Sequence, residues 1–202
     1  APSSAAEVEA MLATALTLEG PSVIRFPKTA PPDPGTASCG SGMSARLVRR
    51  GDGRTVCIVA VGKMAGPATE AAQLLAGDGI DATVWDPRVV SDPDPTMLDE
   101  MARHDLVVTV EDGMRHGGAG AFILDAMHQR RTATVSTSTA PATLVLGLPR
   151  GYLAQGRPDE ILASLGLDGP GIARVTTAAL AQTGAGMLLT HPARLAVPDS
   201  MD

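Results

Sequence analysis

Two apolar stretches decide the fold: TVCIVAV at Thr55–Val61 and LVVTV at Leu106–Val110. Each run lacks the polar alternation of a half-exposed strand, so each predicts a strand that is buried on both faces. Strands of that kind occur in parallel sheets, where helices cover both faces. Further strand patterns at Ala82–Trp85 and Leu144–Gly147 extend the predicted sheet, and Arg46–Arg50 predicts a short strand ahead of it.

Helical patterns alternate with these strands along most of the chain. Five segments have such a pattern: Gly66–Ala76, Pro95–Arg103, Gly117–Met127, Asp159–Leu165 and Gly171–Ala181. Alternation of strand and helix implies right-handed βαβ units. We therefore predict an α/β fold with three layers (α/β/α), in which a mainly parallel sheet lies between two layers of helices.

The first 28 residues have the pattern of a separate helix and strand, which we call the N-terminal unit. Ser3–Leu18 predicts a helix with Glu7 in its first turn and an apolar face made of Val8, Met11, Leu12, Ala15 and Leu16. Gly20-Pro21 ends this helix, and Ser22–Phe26 predicts a short strand. This helix and strand precede the linker described next, so we separate residues 1–28 from the sheet that follows; the family resemblance named below implies that they are a remnant of another domain.

The domain boundary is predicted from proline, glycine and serine. These residues dominate Thr29–Met43 (TAPPDPGTASCGSGM), which predicts a linker over residues 29–43. The main domain then covers residues 44–182, and we expect the tail, residues 183–202, to be disordered. Within the main domain, the polar insert Arg130–Thr143 is expected to form a mobile loop.

Composition and charge exclude several classes of protein. Of 202 residues 44% are hydrophobic but only 2% aromatic, so the core must consist mainly of aliphatic side chains. The 16 basic and 22 acidic residues give a net charge of −6, which argues against a nucleic-acid binder. No apolar run reaches the roughly 18 residues that a membrane span needs, and Ala1–Leu18 lacks the basic start of a signal peptide. We expect a cytoplasmic protein.

The two cysteines and four histidines give no metal-binding or redox pattern. Cys39 and Cys57 are too few for a disulfide scaffold or a four-ligand zinc site. Cys57 lies inside an apolar strand and is expected to be an inert core residue, whereas Cys39 is expected to be exposed. No two histidines have the spacing of a helical metal motif, so we predict no metal site.

Several charged residues lie where a buried strand ends, at a place where α/β sheets often bind ligands. Glu111 and Asp112, with His116 nearby, have the composition of an acid–base or metal group, but adjacent strand residues point to opposite faces. Solvated or interface-forming charges are the alternative, and we expect these. Gly117-Gly118-Ala119-Gly120 opens the next helix, where free N–H groups can hold an anion. Small residues also allow close helix packing, which is the alternative we favour.

Two basic residues lie at the exit of the predicted strand Ser22–Phe26. Arg25 and Lys28 are three residues apart, a spacing that suits a phosphate contact at a strand end. Ordinary surface charges are the alternative.

Gly40-Ser41-Gly42-Met43-Ser44-Ala45 fits the dinucleotide-binding pattern GxGxxA formally. That pattern must follow a buried strand, and here it follows a linker, so a flexible loop is predicted instead.

A series of motifs in fixed order resembles the 1-deoxy-D-xylulose-5-phosphate synthase family. The motifs are GPSVIRFPK (Gly20–Lys28), VCIVAVGKM (Val56–Met64), DATVWDPRVV (Asp81–Val90), HDLVVTVEDG (His104–Gly113), GGAG (Gly117–Gly120), LGLP (Leu146–Pro149) and LGLDGPGIA (Leu165–Ala173). The resemblance extends from about Ala5 to Ala181 and concerns only the last third of such an enzyme.

The resemblance implies a thiamine-diphosphate-dependent transferase of the transketolase type. Such enzymes condense pyruvate with glyceraldehyde 3-phosphate and release CO₂, in the synthesis of isoprenoids, thiamine and pyridoxal. The resemblance also implies that residues 1–28 end the pyrimidine-binding domain and that the transketolase C-terminal domain begins near Ser44. The complete enzyme is implied to be a homodimer with thiamine diphosphate and Mg²⁺. The coenzyme-binding residues lie upstream in the family, so we expect neither cofactor to bind this chain alone.

One binding role is implied residue by residue. In the family the last basic residue of an RYPR-type motif binds the phosphate of glyceraldehyde 3-phosphate, and Lys28 occupies that position here. The family more often has arginine there, so Lys28 offers a single charged point instead of a two-pronged contact. Arg25 matches the first arginine of the motif and is the second candidate.

The tripeptide GDG occurs at Gly51–Gly53 and at Gly77–Gly79. In thiamine-diphosphate enzymes the aspartate of such a tripeptide binds Mg²⁺ together with an asparagine further along the chain. This chain contains no asparagine, and each GDG precedes a strand, so both predict tight turns.

Three interpretations of the whole chain stay open at this stage. The first is the C-terminal part of a synthase, inactive alone, which supports the catalytic domains and contributes to dimer contacts. The second is a non-catalytic interaction module that pairs with a separate catalytic chain. The third is the matching domain of a transketolase or of a 2-oxo-acid dehydrogenase β-subunit.

Overall fold

The computed structural model describes residues 1–28, 39–133 and 139–183. Its five strands form one sheet in the order β1-β3-β2-β4-β5. The strands are β1 (Arg46–Arg49), β2 (Val56–Ala60), β3 (Ala82–Asp86), β4 (Leu106–Met114) and β5 (Ala142–Leu148). β1 runs antiparallel to β3, and all other neighbouring pairs are parallel. The parallel strands therefore end at one common edge, which we call the carboxyl edge.

The described residues also form six α-helices. They are α1 (Ala5–Ala15), α2 (Ala65–Gly77), α3 (Pro95–Met101), α4 (Ala119–Ala133), α5 (Pro158–Ser164) and α6 (Gly169–Thr183), and a 3₁₀ turn covers Gly62–Met64. α2, α5 and α6 pack on one face of the sheet and α3 and α4 on the other. This arrangement confirms the predicted three-layer α/β fold with a mainly parallel sheet. Among the described residues, no helix has the length and apolar character that crossing a bilayer requires.

Alternate residues of β2 supply the two halves of the core. Val56, Ile58 and Ala60 pack towards α2 and α6. Cys57 and Val59 pack towards α3 and α4. All five side chains are buried, as expected for a central parallel strand between two helical layers.

The N-terminal unit differs from its prediction in two ways. The helix forms as α1, capped by the Ser4 side chain, but Glu7 is buried while Leu12 and Leu16 are exposed. Ser22–Phe26 does not form a strand, so the prediction of a strand there is wrong. A strand requires a neighbour to satisfy its backbone hydrogen bonds, and among the described residues this stretch has none.

The insert Arg130–Thr143 is not a loop over its whole length. α4 continues to Ala133 and β5 begins at Ala142. The helix extends because Arg130 donates from Nη2 to Asp99 of α3 at 2.7 Å and Arg131 donates to the Ala102 carbonyl. Residues 134–138 lie outside the described residues, as do linker residues 29–38 and tail residues 184–202.

Candidate functional site

The N-terminal unit lies against the carboxyl edge of the sheet. The nitrogen of Ala1 donates to the carbonyl oxygen of Arg88, just after β3, at 2.7 Å. Arg25 donates to the carbonyl oxygen of Asp112, near the end of β4, also at 2.7 Å. Residues 1–28 therefore cover the edge at which α/β sheets usually bind ligands.

Lys28 lies on an open groove of about 800 Å³ between the N-terminal unit and the main domain. The groove is mainly apolar, and its lining includes Val8, Phe26, Lys28, Lys63, Met64 and Asp159. Lys28 is exposed. The groove can therefore present a positive charge beside an apolar surface.

Lys63 is a second cation of this groove and is not among the site residues predicted from the sequence. Its ammonium lies 2.7 Å from a carboxylate oxygen of Asp112. The 3₁₀ turn that carries it starts at Gly62, whose φ of +59° is one that side-chain-bearing residues rarely adopt. The only available signal was its place directly after a buried strand, in VGKM.

Arg25 and Lys28 are not brought together on one surface. Arg25 lines a small pocket of about 60 Å³ with Lys63 and Asp112, whereas Lys28 lines the large groove. Lys63 lines both. The hydrogen bond from Arg25 to Asp112 gives that guanidinium a structural partner at the sheet edge, so Lys28 is the better placed of the two for a ligand in the groove.

The N-terminus of α4 holds an anion from the chain itself. Glu111 is buried, and its carboxylate accepts from the main-chain N–H of Ala119 at 3.1 Å and of Gly120 at 2.8 Å. A Cβ on Gly118 would lie 2.6 Å from Glu111 Oε2. The expectation of a solvated or interface-forming Glu111 is therefore wrong, because the carboxylate fills the position in which an external anion would bind.

Glu111, Asp112 and His116 do not form a common site. Glu111 points towards α4, Asp112 points towards Lys63, and His116 is exposed. Within residues 1–28, 39–133 and 139–183, His, Cys, Asp and Glu side chains nowhere gather in threes in a way that could hold a metal ion. The opposite directions of Glu111 and Asp112 follow from the strand geometry and confirm that part of the prediction.

A buried ionic cluster joins the N-terminal unit to the main domain; we call Glu7, Arg46, Asp86 and Arg88 the Arg88 cluster. Arg88 Nε donates to Glu7 Oε2 at 2.7 Å, and Arg46 lies 3.3 Å from Asp86 and 3.4 Å from Glu7. Glu7, Asp86 and Arg88 are buried. Burial raises the pKa of Asp86 above its usual range, although Ser3, the Arg88 N–H and Arg46 favour its charged form. No local sequence pattern marks these partners.

The remaining sequence candidates have structural roles. Gly77–Gly79 ends α2, with Gly79 at a φ of +76°, and Gly51–Gly53 is a bend held by Gly53 N–H donating to Asp81 at 2.9 Å. Cys57 is buried, which raises the pKa of its thiol, and Cys39 is exposed. The turn and cysteine predictions are confirmed.

Comparison with known proteins gives one family and a set of longer relatives. The family named "Transketolase, C-terminal domain" matches residues 44–172. The chain is 42% identical over 181 residues to 1-deoxy-D-xylulose-5-phosphate synthase 1 of Kitasatospora griseola, covering 88% of this chain and 26% of that protein. It is 36% identical over 175 residues to the synthase of Burkholderia thailandensis, covering 83% of this chain and 26% of that protein. The chain thus spans about a quarter of the length of these relatives.

Among solved structures, the chain is similar to one described as a split-gene transketolase in an inactive β4 tetramer. The TM-score is 0.76 and the sequence identity 26%, over 89% of this chain and 56% of that chain.

Proposed function

The chain belongs to the transketolase C-terminal domain family, and we propose that it is the C-terminal lobe of a 1-deoxy-D-xylulose-5-phosphate synthase. The complete enzyme would condense pyruvate with glyceraldehyde 3-phosphate and release CO₂. It would be a cytoplasmic homodimer whose product supplies isoprenoid, thiamine and pyridoxal synthesis. The lobe alone would be inactive and would support the catalytic domains.

The exposed apolar surface of the N-terminal unit is the observation that carries this proposal. Leu16 is 80% exposed, Val23 92% and Phe26 61%, and Leu12 and Leu18 are also exposed. Apolar side chains grouped in one segment mark a surface that another polypeptide covers. Within the described part of the chain, the backbone groups of residues 22–26 make no hydrogen bond to other backbone groups, and a neighbouring strand would supply such bonds.

We assign that surface to the upstream domains of the same enzyme. The relatives named above are about four times as long as the part that matches this chain, since the match covers 26% of each. A segment of the pyrimidine-binding domain adding a strand beside Ser22–Phe26 would bury the apolar side chains and complete the backbone hydrogen bonds. Residues 1–28 would then belong to that domain, as the family resemblance implies.

Thiamine diphosphate and Mg²⁺ would be held by those upstream domains. The described residues do not fit this cofactor pair, because no three metal-ligating side chains converge and Glu111 already occupies the N-terminus of α4. The contribution of this chain to the substrates would be the Lys28 ammonium, which would bind the phosphate of glyceraldehyde 3-phosphate at the groove. Arg25 would hold the Lys28-bearing segment at the sheet edge through its hydrogen bond to the Asp112 carbonyl oxygen.

A second candidate function is a separate chain that pairs with a catalytic chain. The similarity to a split-gene transketolase, described as inactive in its β4 form, favours this alternative. The exposed apolar surface would then be covered by a different polypeptide, with the same contacts.

Reconstitution distinguishes the two candidates. We suggest truncating the Kitasatospora griseola synthase before its matched C-terminal region and supplying this chain either fused or as a separate polypeptide. Release of CO₂ from pyruvate that depends on glyceraldehyde 3-phosphate is expected with the fused chain. Equal activity with the separate chain would favour the second candidate, and no activity in either form, with both proteins folded, would contradict both.

Calorimetry of this chain alone should detect no binding of thiamine diphosphate. Clear micromolar binding would contradict the assignment of the cofactor to the upstream domains.

A further inference from the structure

Arg88 has a backbone conformation that its side chain disfavours. Its φ is +54°, and among the described residues no other residue except glycine has a positive φ. Such a conformation costs about 1 kcal/mol or more and persists only where surrounding contacts hold it. Arg88 is also completely buried, so its contacts must compensate for both strain and loss of water.

The Arg88 guanidinium contacts two segments that are distant in sequence. Nε donates to Glu7 of α1 at 2.7 Å. Nη1 donates to the carbonyl oxygens of Ser41 at 3.2 Å, Gly42 at 3.0 Å and Ser44 at 2.7 Å. One side chain thus joins the helix before Lys28 to the loop that leads into the main domain.

Glu7 completes the junction from the other side. Its Oε1 accepts from the Gly40 N–H at 2.6 Å, while its Oε2 accepts from Arg88. A Cβ on Gly40 would approach Arg88 Nε to 2.5 Å, so the loop can come this close only with glycine at that position. Glu7 and Gly40 therefore both contact Arg88 and each other. They lie before and after the part of the chain that carries Arg25 and Lys28.

We infer that Arg88 is a positioning residue, which sets where the Lys28-bearing segment lies on the carboxyl edge without contacting a substrate. The inference rests on the proposed phosphate role of Lys28 for its catalytic consequence, but the mechanical part stands on the contacts alone. Arginine suits this role because its planar group donates in several directions at once. A lysine at position 88 has a single ammonium, which cannot reach Glu7 and three carbonyl oxygens together.

Hydrogen exchange of the full chain tests the mechanical part. In Arg88→Lys and in Glu7→Gln, the hydrogen-bonded amides of residues 8–18 and of Gly40, Ser44 and Ala45 should exchange about tenfold faster, while those of β2 and β4 change by less than about twofold. The matched control is Arg49→Met, which removes an arginine paired with Asp81 at the other end of β3 and should leave residues 8–18 unchanged. Unchanged protection of residues 8–18, or an equal loss throughout the core in both variants, would overturn the inference.

The fused synthase described above tests the catalytic consequence. Arg88→Lys should raise the KM for glyceraldehyde 3-phosphate by about tenfold, with kcat and the KM for pyruvate nearly unchanged, because displacing Lys28 weakens the binding of that one substrate. An equal rise in both KM values would identify a merely structural role. If Lys28→Ala has no effect on KM while the exchange result is as expected, the proposed phosphate role fails and the positioning by Arg88 remains.

Discussion

The Lys63 ammonium lies 2.7 Å from the Asp112 carboxylate, and the main-chain oxygen of the same aspartate accepts a hydrogen bond from Arg25. Asp112 therefore contacts the turn after β2 with its side chain and the N-terminal unit with its backbone. The neighbouring Glu111 contacts α4 instead. Two adjacent carboxylates thus connect different parts of the molecule, and substitutions at the two positions should have different effects.

Replacing Glu111 should destabilise the protein more than replacing Asp112. Glu111→Ala leaves two main-chain N–H groups at a buried helix start without acceptors, which should lower the free energy of unfolding by about 2 kcal/mol or more. Asp112→Asn removes one partly exposed ion pair and keeps the backbone bond to Arg25, so a loss of less than about 1 kcal/mol is expected. Urea unfolding of both variants measures the difference; equal losses would contradict the described burial of Glu111.

Position 118 should accept only glycine, because the Glu111 carboxylate occupies the space that a Cβ would need. A Cβ there would collide with the Met114 carbonyl oxygen and lie 2.6 Å from Glu111 Oε2, so Gly118→Ala should lower the melting temperature. The control is Gly66→Ala in α2, where the added Cβ meets nothing within 4 Å. That variant should be neutral or stabilising by up to about 1 kcal/mol, because alanine favours helices.

Lys28→Ala should selectively weaken the binding of glyceraldehyde 3-phosphate. In the fused synthase the KM for glyceraldehyde 3-phosphate should rise at least about tenfold, the cost of losing one charge-assisted contact, and the KM for pyruvate should change little. Lys28→Arg should keep the low KM, since a guanidinium also binds phosphate. An equal change in both KM values would remove Lys28 from the phosphate role.

The chain's two lysines allow a direct measurement of the same contact. Lys28 and Lys63 are the only lysines in the sequence, so labelling this chain alone with ¹³C-lysine, before it is ligated to the unlabelled truncated synthase, gives two sets of NMR signals. When glyceraldehyde 3-phosphate is added to the fused synthase, the Lys28 signal should shift more than that of Lys63, whose ammonium is held by Asp112. A larger shift at Lys63 would assign the phosphate to that residue instead.

Stability should depend on pH through Asp81 in a defined direction. The Gly53 N–H, with Arg49, holds the pKa of Asp81 below its usual range. A carboxyl with a lowered pKa in the folded state stabilises the fold above its ordinary pKa and loses that contribution as the pH falls through the lowered value. The stability difference between the natural chain and Asp81→Asn should therefore be constant from pH 7 to about pH 5 and shrink below about pH 4.

Asp86 should show the opposite slope. Burial raises its pKa, so folding disfavours its charged form, and the folded state binds a proton more readily than the unfolded chain. Relative to Asp86→Asn, the natural chain should gain stability as the pH falls through that raised pKa. Parallel pH profiles for Asp86→Asn and Asp81→Asn would contradict the difference in their surroundings.

The main domain could be predicted because its signals are local. The apolar runs of β2 and β4 identify buried strands, and the helical segments between them determine a parallel sheet with two helical layers. The family resemblance rests on motifs of the same kind. Even the opposite directions of Glu111 and Asp112 follow from strand geometry alone.

The Arg88 cluster could not be predicted because its partners are far apart in sequence. Glu7 and Arg88 are separated by 81 positions, and a glutamate in a first helical turn ordinarily faces solvent. The apolar residues of α1 predict that its apolar face packs against the protein. The main domain instead buries Glu7, while Leu12 and Leu16 are exposed. Ser22–Phe26 has the composition of a strand, but composition cannot indicate whether a neighbouring strand is available.

The same cluster determines where this fold can be divided. A design that begins at Ser44, where the matched family starts, would discard Glu7 and the Ser41 and Gly42 carbonyls, which are most of the hydrogen-bond acceptors of the Arg88 guanidinium. Arg88 would then keep its positive φ, a strain of about 1 kcal/mol or more, without the contacts that offset it. Anyone transplanting this lobe into another enzyme should therefore carry the helix of residues 5–15 along with it.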